Sequence, residues 1–358
     1  MPSKLETLLP KFKSTQLKQL AFLCGAKSSG RKAELVERLV AIANERFAEP
    51  PKTSGQQLIL SIDLGIRNLG YSLLAPAASP RSSGRRSSKA LTADDLRRPP
   101  RIHLHAWQRR ELLEPSPDGL VDPERYSPAS LAIAADRLVR RDLLPLKPTH
   151  VLIERQRWRS GGASAVQEWT LRVNTLEAML HASLRTLREL GHWDGEIVSV
   201  GPEKVTKFWP TPPATASGED TPKTKGSRSS KGVVGKAPKK AKSQQSSKKH
   251  KIGVLTGWLA EKRGSEIIIP ANHDTEEAIK QYREKLVRAR RSSAANKELV
   301  QDIGSKKLDD LTDSLLQGVA WLKWEENKAL LLGEDGITKL LDSDLLDVQE
   351  ADVLLDDV

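Results

Sequence analysis

The sequence predicts an α/β protein: a mixed five-stranded sheet flanked by helices, preceded by a small helical unit. Three observations carry this expectation. Short apolar runs at 58–62, 151–153 and 196–200 are bounded by turn residues or acids, as strands are. Longer stretches repeat their apolar residues every three or four positions, as helices do. The two kinds alternate in the order three strands, helix, strand, helix, strand, helices, which lays helices on the faces of one sheet.

Taken in order, the first fifty residues read as a self-contained helical pair. Ser14 and Thr15 cap a helix carrying Leu17, Leu20 and Ala21 on one face, and Cys24-Gly25-Ala26 ends it. Ser28-Ser29-Gly30 turns the chain into a second helix over 31–44, with Leu35, Leu39 and Ile42 inward. The unit spans 1–49, and Pro50-Pro51 opens a linker over 50–56. A larger domain over 57–330 follows. Its first strand ends in Asp63, Gly65 and Asn68 mark a turn, and 70–74 returns as the second strand of a hairpin. Residues 80–98 are a polar loop, 102–107 a third strand, and Ser127 caps a helix running to about Leu144. Residues 151–153 form a buried strand ending in Glu154. The stretch 167–190 is a long helix with Leu171, Leu176, Met179, Leu180, Leu184 and Leu187 inward, and 196–200 is the fifth strand. Residues 252–262 and 308–323 are the last core helices.

Charge narrows the function. The 358 residues carry a net charge of +12, pointing to a polyanionic partner, nucleic acid before membrane surface. Between 211 and 251 there are eleven Lys and Arg against two acids, with Ser, Gly, Pro and Ala and almost no large apolar side chain. Such a segment buries too little surface to offset its ordering entropy, so it reads as a disordered basic insertion. The tail over 331–358 is acidic, with Lys339 as its only base. A basic excess remains on the folded parts. No apolar run is long enough to span a membrane, and one cysteine, Cys24, excludes an internal disulfide or a zinc site built on several thiolates.

Chemistry is concentrated in the acids. Asp63 and Glu154 end predicted strands, where an α/β sheet opens onto its ligand crevice. A third group sits in Lys306-Lys307-Leu308-Asp309-Asp310-Leu311-Thr312-Asp313, where helical spacing lays Asp313 beside Asp310 or Asp309. Carboxylates packed together repel unless a cation offsets them. Mg²⁺ suits hard oxygen ligands, and two such ions about 4 Å apart activate water and stabilise a leaving oxygen in phosphodiester cleavage. Taken singly, Asp63 also reads as a turn residue, and Asp309 or Asp310 as a helix cap.

Two resemblances sharpen this. Residues 14–43, with Ser29-Gly30-Arg31-Lys32-Ala33-Glu34-Leu35-Val36-Glu37-Arg38-Leu39, resemble the SAP DNA-binding motif; that implies Lys18, Arg31, Lys32 and Arg38 as phosphate partners. Ser61-Ile62-Asp63-Leu64-Gly65-Ile66-Arg67-Asn68-Leu69-Gly70, Ile153-Glu154-Arg155-Gln156-Arg157-Trp158-Arg159-Ser160 and the stretch 306–317 resemble the fungal mitochondrial Holliday-junction resolvases, of the RuvC-like branch of the ribonuclease H fold. The likeness spans roughly 58–324. It implies Asp63, Glu154, Asp310 and Asp313 as catalytic, metal-binding acids, with Asp309 in reserve. It further implies Mg²⁺ or Mn²⁺, two ions per site, a homodimer, and paired nicks in four-way DNA junctions during mitochondrial recombination. Arg67, Arg155, Arg157, Arg159, Lys306 and Lys307 become DNA contacts, and Trp158 is either a core residue or a stacking partner for an unpaired base. Neither a membrane nor a small-molecule substrate is expected. The chain starts almost directly on the helical unit, with Glu6 and no Arg/Ser-rich transit segment, so the mitochondrial assignment rests on the resemblance.

Two other classes compete. Asp63-x-Gly65 with Gly70 also resembles the first phosphate loop of actin-like ATPases and sugar kinases, but no convincing second loop follows. A non-catalytic DNA-binding architectural protein would explain the charge, yet it gives no reason for acids at two strand ends and on the last helix.

Overall fold

A computed structural model describes residues 3–48, 56–77, 96–113, 123–156, 166–209, 239–260, 266–295 and 301–332. Helices α1 (Ser3–Leu8), α2 (Ser14–Leu23) and α3 (Lys32–Ala48) come first, then strands β1 (Ile59–Asp63), β2 (Leu69–Pro76) and β3 (Ile102–Arg110). Helix α4 (Pro128–Arg137) runs on through a π-helical turn to Leu143 and is followed by β4 (His150–Glu154). After α5 (Glu168–Glu189), β5 (Glu196–Val200) and α6 (Pro202–Phe208) come α7 (Lys239–Leu259), β6 (Ile268–Pro270), α8 (His273–Ala295) and α9 (Gln301–Leu332). The sheet order is β5-β4-β1-β2-β3-β6. Strands β1, β2 and β3 pair antiparallel, while β4 joins β1, β5 joins β4 and β6 joins β3 in parallel.

The α/β class and mixed sheet are as expected, but the sheet has six strands rather than five. The extra one, β6, is three residues long and ends in Pro270, too short to show an alternating pattern. It lies at the edge of the sheet, where proline is tolerated. Alternation along the strands sends side chains to two cores. Ile59, Leu74, Leu104 and Leu152 face α9, α7, α8 and the N-terminal helices. Leu60, Ile62, Leu73, Val151 and Ile153 face α4 and α5. Ser127 caps α4, its hydroxyl accepting from the Ser130 amide at 3.3 Å.

Several boundaries differ from expectation. Helix α9 starts at Gln301 and not at 308, so Lys306 and Lys307 lie inside it. The stretch read as a disordered insertion over 211–251 is helical from Lys239 onward, and its earlier part lies outside the described residues. Leu171 was expected inward but is 47% exposed on the first turn of α5. In α3 the buried positions are Leu35, Leu39 and Ala43, one step beyond Ile42. Residues 50–55 of the proline linker, most of the 80–98 loop, Arg157, Trp158, Arg159 and the acidic tail beyond Leu332 also fall outside the described residues.

The N-terminal unit is not self-contained. Leu17, Leu20, Leu23, Leu35 and Leu39 share one core with Phe208, Trp324 and Leu331. The Asn327 side-chain amide donates to the Leu23 carbonyl at 2.7 Å, and Lys204 Nζ donates to the Gly25 carbonyl at 3.0 Å. Gly25 has φ +68°, and a β-carbon there would sit 2.4 Å from Trp324. Only glycine meets both demands. Trp321 and Trp324 are buried in this same core.

Candidate active site

Asp63 and Glu154 are the last residues of β1 and β4. Ile62 lies level with Ile153 across this parallel pair, so the two acids leave the sheet side by side. The residues before them are fully buried, and both carboxylates stand where burial relaxes at the strand ends. Helix α9 brings Asp310 and Asp313 over the same point, one turn apart on one face. Its seat is fixed by named contacts. Trp107 Nε1 donates to the Leu311 carbonyl at 2.9 Å and Ser72 Oγ to the Ser314 carbonyl at 3.1 Å. Gln317 Nε2 reaches Ser61 Oγ at 3.1 Å, and Tyr282 Oη shares a 2.7 Å bond with Thr312 Oγ1. A β-carbon on Gly70 would lie 2.3 Å from the Asp310 carbonyl, so glycine in the hairpin permits the close approach of helix and strand.

Asp63, Asp310 and Asp313 hold their protons tightly. Burial first, then the charge and hydrogen bond of Glu154, then Asp313 and Asp310, push the Asp63 carboxyl well above its ordinary range. Asp310 is pushed up to about 6 by burial, against the opposing pull of Arg109. Asp313 also rises to about 6, because burial and the neighbouring acids outweigh the lowering effect of Lys251. Burial pulls the Lys251 ammonium down, but Asp313, Glu154 and Asp63 raise it overall. A charged lysine therefore faces three of the acids.

Three basic groups brace the helix. Lys251 Nζ pairs with Asp313 at 2.9 Å, Lys248 Nζ with Asp309 at 2.7 Å, and Arg109 Nε with Asp310 at 3.3 Å. Arg109 also bonds the Asn68 side chain, tying the β1–β2 turn to the helix. Asp309, itself buried, is thus engaged by Lys248 of α7. Asp310 is the one that, with Asp313, bears on Asp63.

Does this cluster suit a divalent cation? Among the described residues no three acids close into a ready-made cage. Yet Asp313 Oδ1 and Asp309 Oδ1 are buried without a hydrogen-bond partner among those residues. Two observations therefore point in different directions. The orphaned oxygen and the mutual repulsion weigh more, since the side chains of Asp310 and Asp313 are turned onto Arg109 and Lys251 and need only rotate. Hard oxygen donors on rigid elements fit Mg²⁺ or Mn²⁺.

A profile of the family described as mitochondrial resolvase Ydc2 / RNA splicing MRS1 matches residues 59–331. The chain belongs to this family. The cruciform cutting endonuclease 1 of Schizosaccharomyces pombe is 32% identical over 166 residues, which cover 46% of this chain and 53% of that protein. The alignment thus spans about half of that relative's length. The Saccharomyces cerevisiae protein of the same name is 25% identical over 359 residues, covering 93% of this chain and 86% of its own. The crystal structure of the yeast mitochondrial Holliday junction resolvase Ydc2 superposes with a TM-score of 0.51 at 24% identity, over 88% of this chain and 95% of that one. The mixed α/β fold of this Ydc2-family chain is therefore shared with that solved structure.

Within the Ydc2-family chain, the acids expected together are together, whereas the expected basic groups are scattered. Arg155 is exposed just past Glu154. Arg31 and Lys32 are exposed, and Lys18 is half-buried. Arg38 spends its guanidinium on the Lys27 and Ser29 carbonyls, holding the turn between α2 and α3. The side chains of Lys306 and Lys307 are not among those described. Arg109, Lys248 and Lys251 escaped sequence reasoning. Arg109 pairs with Gly70 in the β2–β3 register, a signal visible only once the strands are aligned.

One consequence is testable directly. Lys251→Met is expected to destabilise the chain by about 2 kcal/mol, since it leaves Asp313 buried and unpaired. Lys251→Met with Asp313→Asn should recover most of that loss. Chemical denaturation of the two singles and the double measures it; additive losses would show that the pair is not coupled.

Proposed function

We propose that this chain is a structure-selective endodeoxyribonuclease that resolves four-way DNA junctions by metal-dependent phosphodiester hydrolysis. The carrying observation is the convergence of Asp63, Glu154, Asp310 and Asp313 from two strand ends and one helix, with the proton affinities of Asp63, Asp310 and Asp313 raised by burial and by neighbouring acids. A role confined to RNA splicing, which the family description also names, gives no use to four such carboxylates. Those four residues would hold a pair of Mg²⁺ or Mn²⁺ ions, which supply an activated water and stabilise the leaving oxygen. Around them Lys251 keeps Asp313 oriented, Arg109 fixes the helix to the hairpin, and Gly70 sets their separation. Both relatives are named mitochondrial, and mitochondrial DNA is accordingly the proposed substrate pool.

The N-terminal helices, as a SAP-like unit, present Lys18, Arg31 and Lys32 to phosphates and add affinity without reading sequence. Two scissile strands related by two-fold symmetry call for two copies of the site, hence a homodimer. Leu176, Leu180, Leu184, Leu255 and Leu259 are buried in the core, so these residues of 167–190 and 252–259 are taken up by packing within the chain. Among the described residues no helix is long and apolar enough to cross a membrane.

The test is incubation with four-way, duplex and flap DNA, with and without Mg²⁺. Paired nicks in the junction alone, dependent on metal, are the expected result. Cutting should also fade as pH falls through about 6, where protons occupy Asp310 and Asp313 in place of the cation. Equal cutting of duplex, or cutting in EDTA, would overturn the reading.

A further inference from the structure

The strongest cluster outside the acids is aromatic. Trp169, on the first turn of α5, is 40% exposed, unusual for a tryptophan in a folded domain. Its ring meets Tyr126 edge-on, with centroids 5.6 Å apart. Arg67 lies 5.5 Å from the Trp169 ring centre and 5.8 Å from that of Tyr126, and its Nε donates to Tyr126 Oη at 3.0 Å. Arg172 stands 4.5 Å from the Tyr126 ring centre and Arg125 5.8 Å. Three guanidiniums thus surround two rings, with Glu168 on Arg172 and Glu111 on Arg125 as opposing acids.

This cluster adjoins the acids. Arg67 is in the β1–β2 turn four residues after Asp63, and its neighbour Asn68 is tied through Arg109 to Asp310. From the other side, Glu177 of α5 accepts from the Gln156 amide at 2.9 Å, two residues past Glu154. The exposed indole and the acids therefore share one end of the sheet.

We propose that Trp169, flanked by Arg67 and Tyr126, is a stacking platform for an unpaired base displaced beside the branch point. This rests on the nuclease reading above. An exposed indole offers a flat face to any base, which gives stacking without sequence readout, while the guanidiniums attract the adjoining phosphates. Perfect duplex presents no free base face, so the platform favours branched over linear DNA. The surface, not the metal-binding acids, becomes the determinant of structure selectivity.

The probe is a four-way junction with 2-aminopurine next to the branch point, titrated in EDTA so that no strand is cut. Trp169→Leu keeps apolar bulk without a π-face, and Trp169→Phe keeps a smaller one. Leu should weaken junction binding about tenfold and abolish the change in 2-aminopurine emission, with duplex affinity altered less than twofold. Phe should retain most of both. Emission unchanged by Trp169→Leu overturns the platform, as does equal weakening by Leu and Phe. A shift of Trp169→Leu to a smaller sedimenting species overturns it too, by assigning the indole to contact between copies. Because binding is read without metal, a wild-type chain that shifts emission but never cuts with Mg²⁺ overturns only the nuclease reading.

Discussion

Asp63→Asn is expected to abolish junction cutting while raising the melting temperature of the metal-free chain by a few degrees. The two effects share one cause. A buried carboxylate beside Glu154, Asp310 and Asp313 is unfavourable, and its proton affinity is raised accordingly. The isosteric amide removes the charge and relieves the strain on its neighbours. It also removes a hard ligand, so cutting falls well beyond the 10–100-fold that loss of a merely supporting partner costs, to the order of a thousandfold. Junction binding should persist, because affinity resides mainly in contacts to phosphate. Glu154→Gln and Asp313→Asn should lose cutting likewise.

The same logic fixes the pH dependence of stability. Asp310 and Asp313 have folded-state values of about 6, above the 3.8 of a free aspartate, so the folded chain binds protons more tightly than the unfolded one. Their contribution is fully present below pH about 4 and is lost as pH rises through about 6. The metal-free chain should melt higher at pH 5 than at pH 7.5 as far as these groups are concerned, and Mg²⁺ should stabilise it at the higher pH. Differential scanning calorimetry at the two values, with and without the ion, decides. A lower melting temperature for Asp63→Asn at pH 7.5 would show that Lys251 already balances the cluster.

Removing residues 1–48 is expected to leave a chain without a cooperative melt. A proline linker suggests a detachable module, and a detachable module would leave the chemistry intact. The packing says otherwise. Truncation uncovers Phe208, Trp324 and Leu331 and removes the Leu23 and Gly25 carbonyls that Asn327 and Lys204 bond, leaving Asn327 only the Leu96 carbonyl at 3.1 Å. Each lost hydrogen bond costs about 0.5–1.5 kcal/mol, and the bared apolar patch costs more and invites aggregation. Circular dichroism and light scattering of the truncated chain measure this. A melt matching that of the full chain would show that the helices dock without contributing stability. Gly25→Ala gives a milder probe, through its positive φ and the ring of Trp324.

What the sequence made legible follows from locality. The strands at 58–62, 151–153 and 196–200 are apolar runs closed by turn residues or acids, and their ends marked Asp63 and Glu154 without any tertiary information. Helical spacing set Asp313 beside Asp310 or Asp309, and the family resemblance chose Asp310 between them. The failures are non-local. The segment around Lys248 and Lys251 is basic and rich in serine, a composition that reads as unfolded. Its helix is secured by carboxylates 61 and 62 residues further along the chain, invisible to any local window. Arg109 joins the site only through the strand register, and β6 is too brief for a pattern. Leu171 obeys the helical period yet faces water, because the stripe of α5 extends one turn past the core it covers.

Helix α9 carries Asp310 near one end and, fourteen positions on, Trp324, which receives Gly25 of the N-terminal unit. At 1.5 Å per residue this is about 21 Å of unbroken helix. It acts as a measuring rod. Under the proposed function, DNA held on the N-terminal helices would meet the acids at that spacing, close to six base pairs at about 3.4 Å each. The place of the nick along a junction arm is then a property of helix length, and inserting or deleting residues between Asp313 and Trp324 would alter the gauge.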